Sequence, residues 1–264
     1  NAWLPATYHT PPASISALLG GLLTKVGVYA FIRIMVELLP MARDVLAPAI
    51  TIVAIATMIV GPLSAIAETN LRRAIGFLLI GGVGIAISCV PKGQMFVIFG
   101  GVAYVVSSIL VMSALYLVAG LIEKAQGATD TRDMGGMYAA NSLISILFLV
   151  LVLAVSGIPP FLGFWPKLLL LQGFITDGDW LLVFSILFNS LLTLIAGTRL
   201  WSHIFWRPRA NPHVPPQGLG GAVLLTGTVI LLSLFPNLLL KAAGTAAGEL
   251  LDPSTYISAV GLSP

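Results

Sequence analysis

The stretch Val155-Ser156-Gly157-Ile158-Pro159-Pro160-Phe161-Leu162-Gly163-Phe164-Trp165-Pro166-Lys167-Leu168 lies inside an apolar run from about Leu143 to Ile175. A simple membrane helix does not accommodate so many prolines and glycines, because proline removes a backbone donor and blocks the carbonyl one turn earlier. In hydrocarbon the freed backbone groups must be bonded by protein or water. We therefore predict a broken helix: one half ends at Val155, residues 156–160 form an irregular turn, and the second half carries Lys167.

An extramembrane loop between two complete spans is the alternative interpretation of this stretch. It is disfavoured because each half has about a dozen apolar residues, against the roughly 20 that a helix needs to cross a bilayer. Broken helices beside a charged group mark ion sites in transporters. At ~1.5 Å per residue, we expect Lys167 roughly 10 Å past the break, near the middle of the membrane.

The composition indicates an all-α protein with several membrane spans. The chain has 264 residues, of which 58% are hydrophobic and 9% charged, with a mean hydropathy of +1.00; soluble domains carry about 25% charged residues. A transmembrane β-barrel would show short alternating segments instead of long apolar runs. The net charge of +3 comes from scattered basic residues, so nucleic-acid binding is not indicated. The single cysteine, Cys89, excludes an intrachain disulfide.

Seven spans in one transmembrane domain, without a separate soluble domain, are predicted in chain order. The predicted spans are 13–39, 46–67, 74–90, 95–122, the broken span 138–175, 180–205 and 219–240. Residues 1–12, 40–45, 123–137 and 208–218 are predicted loops, and 241–264 a tail at the membrane interface. Residue 1 is Asn and no secretory signal follows. We interpret the chain as the C-terminal half of a longer protein.

Basic residues beside the spans indicate the orientation. One side of the membrane is predicted to carry Arg72, Arg73, Lys124, Arg132, Arg207 and Arg209, and the other Arg33, Arg43, Lys92 and Lys241. The more basic side includes residue 1. This side is therefore predicted to be cytoplasmic, in a bacterial inner membrane, with the C-terminus outside.

Among the 13 basic and 10 acidic side chains, only Lys25 and Lys167 lie deep within predicted spans. An ionisable group at the bilayer centre costs at least ~3 kcal/mol, so it must face the bundle interior, a partner or water. Because burial penalises the ammonium form, such amines can exchange protons. We predict a proton relay through these lysines. Candidate supporting residues are Thr24, Tyr29, Ser107, Ser108, Ser113 and Ser156. The alternative, a lysine paired for assembly, would need a carboxylate from elsewhere.

Enzymatic chemistry finds little support in the sequence. His9, His203 and His213 fall in loops or at a span edge without metal-ligand spacing. No glycine-rich phosphate loop follows a strand, and no Ser/His/Asp set converges. We therefore predict no metal and no cofactor, and a transport subunit instead of an enzyme. An intramembrane hydrolase or lipid transferase is an unsupported alternative.

Four motifs make the chain similar to the antiporter-like family shared by Mrp-type multisubunit cation/proton antiporters and respiratory complex I. They are Trp3-Leu4-Pro5-Ala6 with Thr10-Pro11-Pro12, Gly21-Leu22-Leu23-Thr24-Lys25-Val26-Gly27-Val28-Tyr29, Asn70-Leu71-Arg72-Arg73-Ala74-Ile75-Gly76-Phe77, and Ser156-Gly157-Ile158-Pro159-Pro160 through Gly163-Phe164 to Lys167. The resemblance implies fourteen helices in two inverted five-helix repeats, of which this chain would hold the last seven.

The resemblance also implies roles for the two lysines. Lys25 takes the place of the bridging lysine in the family's eighth helix, and Lys167 that of the terminal ionisable residue in the twelfth. The family's relay glutamate on helix five and lysine on helix seven would lie in the other half. The chain departs from the family pattern at Ser107, Ser108 and Met112, where many relatives carry histidine or lysine, and at Gly82, where many carry a polar residue.

The expected function is therefore that of a proton-conducting subunit of a multisubunit Na⁺(K⁺)/H⁺ antiporter. Its expected partners are other membrane subunits, lipid, H⁺ and Na⁺ or K⁺. One alternative is a membrane subunit of complex I (NADH-quinone oxidoreductase) or of a membrane-bound hydrogenase. Another is a non-conducting scaffold subunit of such a complex.

Overall fold

The computed structural model describes residues 3–208, 218–252 and 254. Within them the fold is all-α, which confirms the predicted class. The α-helices are α1 (Trp3–Tyr8), α2 (Ala13–Leu38), α3 (Pro40–Ala67), α4 (Leu71–Ile87), α5 (Met95–Gln126), α6 (Met137–Ala140), α7 (Ser142–Ser156), α8 (Phe164–Thr176), α9 (Trp180–Trp206), α10 (Leu219–Leu234) and α11 (Asn237–Leu251). Arg209, His213 and the end of the predicted interfacial tail lie outside the described residues.

Helix α5 is the centre of the bundle. It packs against α2, α4, α7, α8, α10 and α11, and most of its side chains are buried. A helix that is apolar on all sides is expected in such a central position. It ends at Gly127, whose φ of +62° gives the left-handed cap that favours glycine.

Local sequence explains several of the helix ends. Asn70, Asn141 and Asp179 each precede a helix, and their side chains accept a hydrogen bond from a backbone N–H of the first turn. Such caps bond donors that the helix itself leaves free. Helix α3 begins at Pro40, a favoured first residue because its missing N–H is not needed there.

The connection before α4 is tied to the loop after α5 outside the membrane. Leu71 N donates to Thr129 O at 3.0 Å, and Thr131 N donates to Thr69 O at 2.8 Å. Hydrogen bonds from Arg132 hold the pKa of the Asp130 carboxyl well below its usual range. These contacts fix the start of α4 beside the end of α5.

Length and hydropathy qualify four described helices as membrane spans: α2, α3, α5 and α9. The pair α10 and α11, bent by 80°, would make a fifth. Helix α4 has 17 residues and the halves α7 and α8 have 15 and 13. These are short for independent spans, so the predicted total of seven stays a prediction.

Several predicted boundaries are wrong. Residues 3–8 of the predicted loop form α1, whose Tyr8 is buried against the bundle. The predicted loop 40–45 belongs to α3, because Pro40 can begin a helix. Helix α5 continues four residues past 122 until its glycine cap.

The predicted interfacial tail is also different in the structure. Residues 237–251 form helix α11, which packs on α5 instead of lying only at the membrane surface. Its buried side chains are Leu239, Ala243, Ala247 and Leu250. Their spacing of three or four residues places them on one face of the helix, which explains why a weakly amphipathic segment can pack.

Helices α3 and α4 approach each other through glycines. A Cβ added at Gly61 would lie 2.5 Å from the backbone nitrogen of Gly81 and 2.8 Å from the carbonyl oxygen of Phe77. Small residues at helix interfaces allow such close backbone contact. The pairing therefore depends on Gly61 having no side chain.

Replacing Gly61 by valine should destabilise the bundle, because the added atoms would meet backbone instead of a flexible side chain. We expect a loss of about 1–3 kcal/mol in the free energy of unfolding, measured as a lower midpoint in thermal melts of the detergent-solubilised full-length protein. Gly227→Val is the control, since a Cβ there meets nothing within 4 Å. Equal midpoints for the two variants would contradict the prediction.

Candidate functional site: the helix break and two buried lysines

The predicted helix break is present. Helix α7 ends at Ser156, one residue later than predicted, and α8 begins at Phe164. Between them Gly157 has a φ of +79°, a left-handed conformation that glycine adopts without strain. A Cβ at Gly163 would clash with the carbonyl oxygen of Ala154, so the returning chain passes close against the end of α7. The irregular segment is thus longer than predicted and tightly packed.

Lys167 reaches back to this break. Its side chain is 3% exposed, and its Nζ donates to Val155 O at 3.2 Å, Ser156 O at 2.8 Å and Ser190 Oγ at 2.9 Å. The two carbonyls belong to the last turn of α7, where helical carbonyls lack partners within the helix. They also form the negative end of the helix dipole, which favours a cation. The expected position roughly 10 Å past the break is therefore wrong: α8 begins at Phe164, so Lys167 lies in its first turn and its amine lies at the break.

Sequence reasoning missed Ser190 and its neighbour Asn189 on α9. Ser190 supplies the third acceptor of Lys167, and the buried Asn189 Nδ2 donates to Met58 O of α3 at 2.7 Å. Two adjacent polar residues in the middle of an apolar helix could have indicated a buried polar contact. Together they hold α9 against the break and against α3.

Lys25 is buried in a different way. It lies on α2 between two π-helical turns, Leu19–Leu23 and Ile34–Leu38, and is 1% exposed. Its Nζ has no hydrogen-bond partner among the described residues. Buried polar groups are almost always bonded to protein or water. This amine therefore requires water or a group beyond the described residues.

A polar contact lies next to Lys25 in sequence. Thr24 Oγ1 donates to Leu19 O at 3.2 Å and lies 3.2 Å from the hydroxyl of Tyr8 on α1. The bond to a carbonyl five residues earlier follows from the π-helical turn. Tyr29, another candidate, is 40% exposed on α2 and makes no hydrogen bond to Lys25.

Serines of α5 face the helix break. A cavity of about 10 Å³ separates α5 from α7 and is lined by Ser107, Ser108, Met112, Ala154, Val155 and Gly163, among others. That volume holds about one water molecule. Ser108 Oγ is buried without a partner among the described residues, whereas Ser107 Oγ donates to Tyr104 O at 3.0 Å. Because Val155 also bonds Lys167, a water here would lie beside the lysine's acceptors.

The side chains of the remaining candidates bond backbone carbonyls. Ser113 Oγ donates to Ala17 O of α2 at 3.2 Å, and Ser156 Oγ donates to Val152 O at 2.8 Å. His9 Nδ1 lies 3.0 Å from Pro5 O. In the part of the chain that the structure describes, no group of three or more His, Cys, Asp or Glu side chains is placed to hold a metal ion.

The family described as "NADH:quinone oxidoreductase/Mrp antiporter, TM" matches residues 1–193. The chain belongs to this family. The match includes the helix that carries Lys25, the break and Lys167. This confirms the resemblance inferred from the four sequence motifs.

Among its relatives, the chain is similar to antiporter subunits that are designated D. The Na(+)/H(+) antiporter protein of this designation from Alkalihalophilus pseudofirmus is 29% identical over 263 residues, covering 98% of this chain and 53% of the relative. Its counterpart from Bacillus subtilis is 30% identical over 263 residues with the same coverage. The chain spans about half the length of the curated relatives it matches.

A solved assembly shares the fold. A chain of the Mrp complex from Dietzia sp. DQ12-45-1b superposes with a TM-score of 0.91 at 26% identity. The superposition covers 99% of this chain and 57% of that chain. The described helices therefore correspond to part of that chain of the Mrp complex.

Ser190 should contribute to stability through the Lys167 amine. Ser190→Ala removes one of the three acceptors of the Lys167 amine. A hydrogen bond to a charged group contributes about 1.5–3 kcal/mol to stability. We expect a lower unfolding midpoint in thermal melts of the full-length protein, and recovery with Ser190→Thr. Ser64→Ala is the control, because that hydroxyl bonds Val60 O of its own helix. A midpoint as high for Ser190→Ala as for the control would contradict the contact.

Proposed function

We propose that this chain carries the lysine relay of a proton-conducting subunit in a multisubunit Na⁺(K⁺)/H⁺ antiporter. The observation that supports the proposal most directly is the buried Lys167 amine at the carbonyl end of a broken helix. The similarity to antiporter subunits designated D supports the assignment to this kind of complex. The proposed partners are the other subunits, H⁺, Na⁺ or K⁺, and lipid.

The surroundings of Lys167 suit a protonated amine. An ammonium group has three N–H donors, and the site supplies three acceptors: Val155 O, Ser156 O and Ser190 Oγ. The carbonyls can only accept, whereas the hydroxyl of Ser190 can also donate. Ser190 is therefore the partner that can reverse its hydrogen bond when the amine loses its proton.

Lys25 lies in an environment that does not suit a protonated amine. With no partner among the described residues, its charged form lacks the compensation that buried charge requires. We propose that Lys25 passes a proton laterally to or from Lys167 through waters and hydroxyls. The serines of α5 and the water-sized cavity beside Val155 support such a path. Lys167 would then exchange with one bulk phase at the helix break.

The proposed orientation places residue 1 on the cytoplasmic side of a bacterial inner membrane and the C-terminus outside. It follows from the distribution of basic residues beside the spans. The proposed role is transport, without a catalytic centre in this chain.

A redox-driven complex is the second candidate, because the family includes NADH:quinone oxidoreductase subunits as well as Mrp antiporters. The relay would be the same and the energy source different. Neighbouring genes discriminate between the two: small membrane antiporter subunits favour the first, and quinone- or NADH-binding subunits the second. A non-conducting scaffold is the third candidate, favoured by serine and methionine at 107, 108 and 112, where many relatives carry ionisable residues.

Alanine at either lysine should abolish cation-dependent proton movement. We expect Lys167→Ala and Lys25→Ala each to slow it by at least about 100-fold, the lower end of what proton-transfer groups contribute. The measurement is the response of a pH-sensitive dye to added Na⁺ or K⁺ in membrane vesicles that contain the full-length protein in its complex.

Lys241→Ala is the matched control, because that lysine is exposed on α11. The amounts of assembled complex must be equal in the three preparations. Unchanged antiport in both buried-lysine variants would contradict the relay and favour the non-conducting scaffold instead.

A further inference from the structure

A second polar feature lies at the N-terminal end of α2, far from the helix break in sequence. A cavity of about 440 Å³ lies between the ends of α2, α4, α5 and α10, and its lining includes Ser14, Arg72, Leu117, Glu123, Lys124 and Gly221. The volume is enough for several water molecules. The relay proposed above does not use it.

An ion pair forms one wall of this cavity. Arg72 Nε of α4 lies 2.8 Å from Glu123 Oε2 of α5, and Arg72 also donates to Pro11 O and Ser16 Oγ. Glu123 is 9% exposed, and its second oxygen, Oε1, is buried without a hydrogen-bond partner among the described residues. Unlike the guanidinium, the carboxylate can take up and release a proton.

Hydroxyl groups continue from this pair towards Lys25. Tyr116 lies two turns before Glu123 on α5, roughly 10 Å along the helix. Its hydroxyl is buried without a hydrogen-bond partner in the described part of the chain, and its ring packs against α2, where a Cβ added at Gly20 would lie 2.5 Å from it. Tyr8 in turn lies 3.2 Å from the hydroxyl of Thr24, the residue before Lys25. Gly20 and Thr24 lie one turn apart on α2, so Tyr116 and Tyr8 both contact the stretch of this helix that precedes Lys25.

We infer that the cavity is a hydrated access route through which protons reach Lys25, with Glu123 as the group that exchanges them. The inference rests on the proposed relay and adds its connection to one membrane surface. A hydronium ion in the cavity gives a proton to the Glu123 carboxylate. The acid then passes a proton through water and hydroxyls to the Lys25 amine, which becomes ammonium, and Glu123 returns to carboxylate. Among the described residues, the charged or titratable groups around Glu123 are Arg72, Lys124 and His9.

The competing interpretation is an ion pair that only joins α4 to α5. It explains the contact between Glu123 Oε2 and Arg72. It does not explain why the carboxylate borders a cavity of this size or why its other oxygen and the Tyr116 hydroxyl lack partners among the described residues. A test must therefore separate the need for a proton-exchanging group from the need for a stable helix contact.

Chemical replacement of the carboxylate provides this test. In the full-length protein and its complex, Cys89→Ala removes the thiol of the present sequence, which is buried, and Glu123→Cys introduces one at the cavity. The sample is treated with carboxyethyl or aminoethyl methanethiosulfonate before reconstitution into liposomes. We expect both reagents to react with the thiol at position 123. The unmodified variant should have an at least tenfold lower proton flux, and only the carboxyethyl adduct should restore this flux.

A matched thiol at exposed Glu249, made by Glu249→Cys, should leave the flux unchanged before and after either reagent. Glu123→Asp and Glu123→Gln give an independent comparison that needs no labelling, with flux expected in the aspartate variant only. An unreactive thiol at position 123, recovery with both adducts, or full flux in Glu123→Gln would overturn the inference. Full flux in Lys25→Ala and Lys167→Ala would instead reject the underlying relay, so the two failures are distinguishable.

Discussion

The contact between the Lys167 amine and the free carbonyls of α7 is the interaction on which the site depends. A helix broken inside hydrocarbon leaves carbonyls that need donors, and a lysine buried there needs acceptors. Each defect compensates the other: Nζ bonds Val155 O and Ser156 O. A Cβ at Gly157 would lie 3.0 Å from this amine, so glycine provides the space as well as the turn. The break and the lysine therefore form one structural unit.

The two lysines differ more than their sequence contexts suggest. Both are buried amines in apolar helices, yet Lys167 has three acceptors and Lys25 has none among the described residues. Hydrogen bonds to the charged form stabilise it, and burial without them disfavours it. In the proposed relay, this difference would favour the proton on Lys167 over the proton on Lys25.

The sequence predicted the break and the burial of both lysines because prolines, glycines and charges in an apolar run have strong local consequences. It did not predict Ser190 or Asn189, since their partners are 23 and 131 residues away, at Lys167 and Met58. Such contacts depend on how helices pack. The end of α5 was missed for a local reason: charged residues at Glu123 and Lys124 suggested a loop, whereas the helix continues until Gly127. A buried ion pair with Arg72 makes the charged residue Glu123 compatible with a helical interior.

Close packing between α5 and α2 explains why the polar residue at position 113 is small. A Cβ at Gly21 would clash with Ser113 Oγ, and one at Gly120 would clash with the Cβ of Ala13. Helices this close leave no room for a long ionisable side chain at the contact, whereas a hydroxyl fits. Ser113 therefore suits a tight interface. The ionisable Glu123 lies further along the same helix, where a cavity borders it.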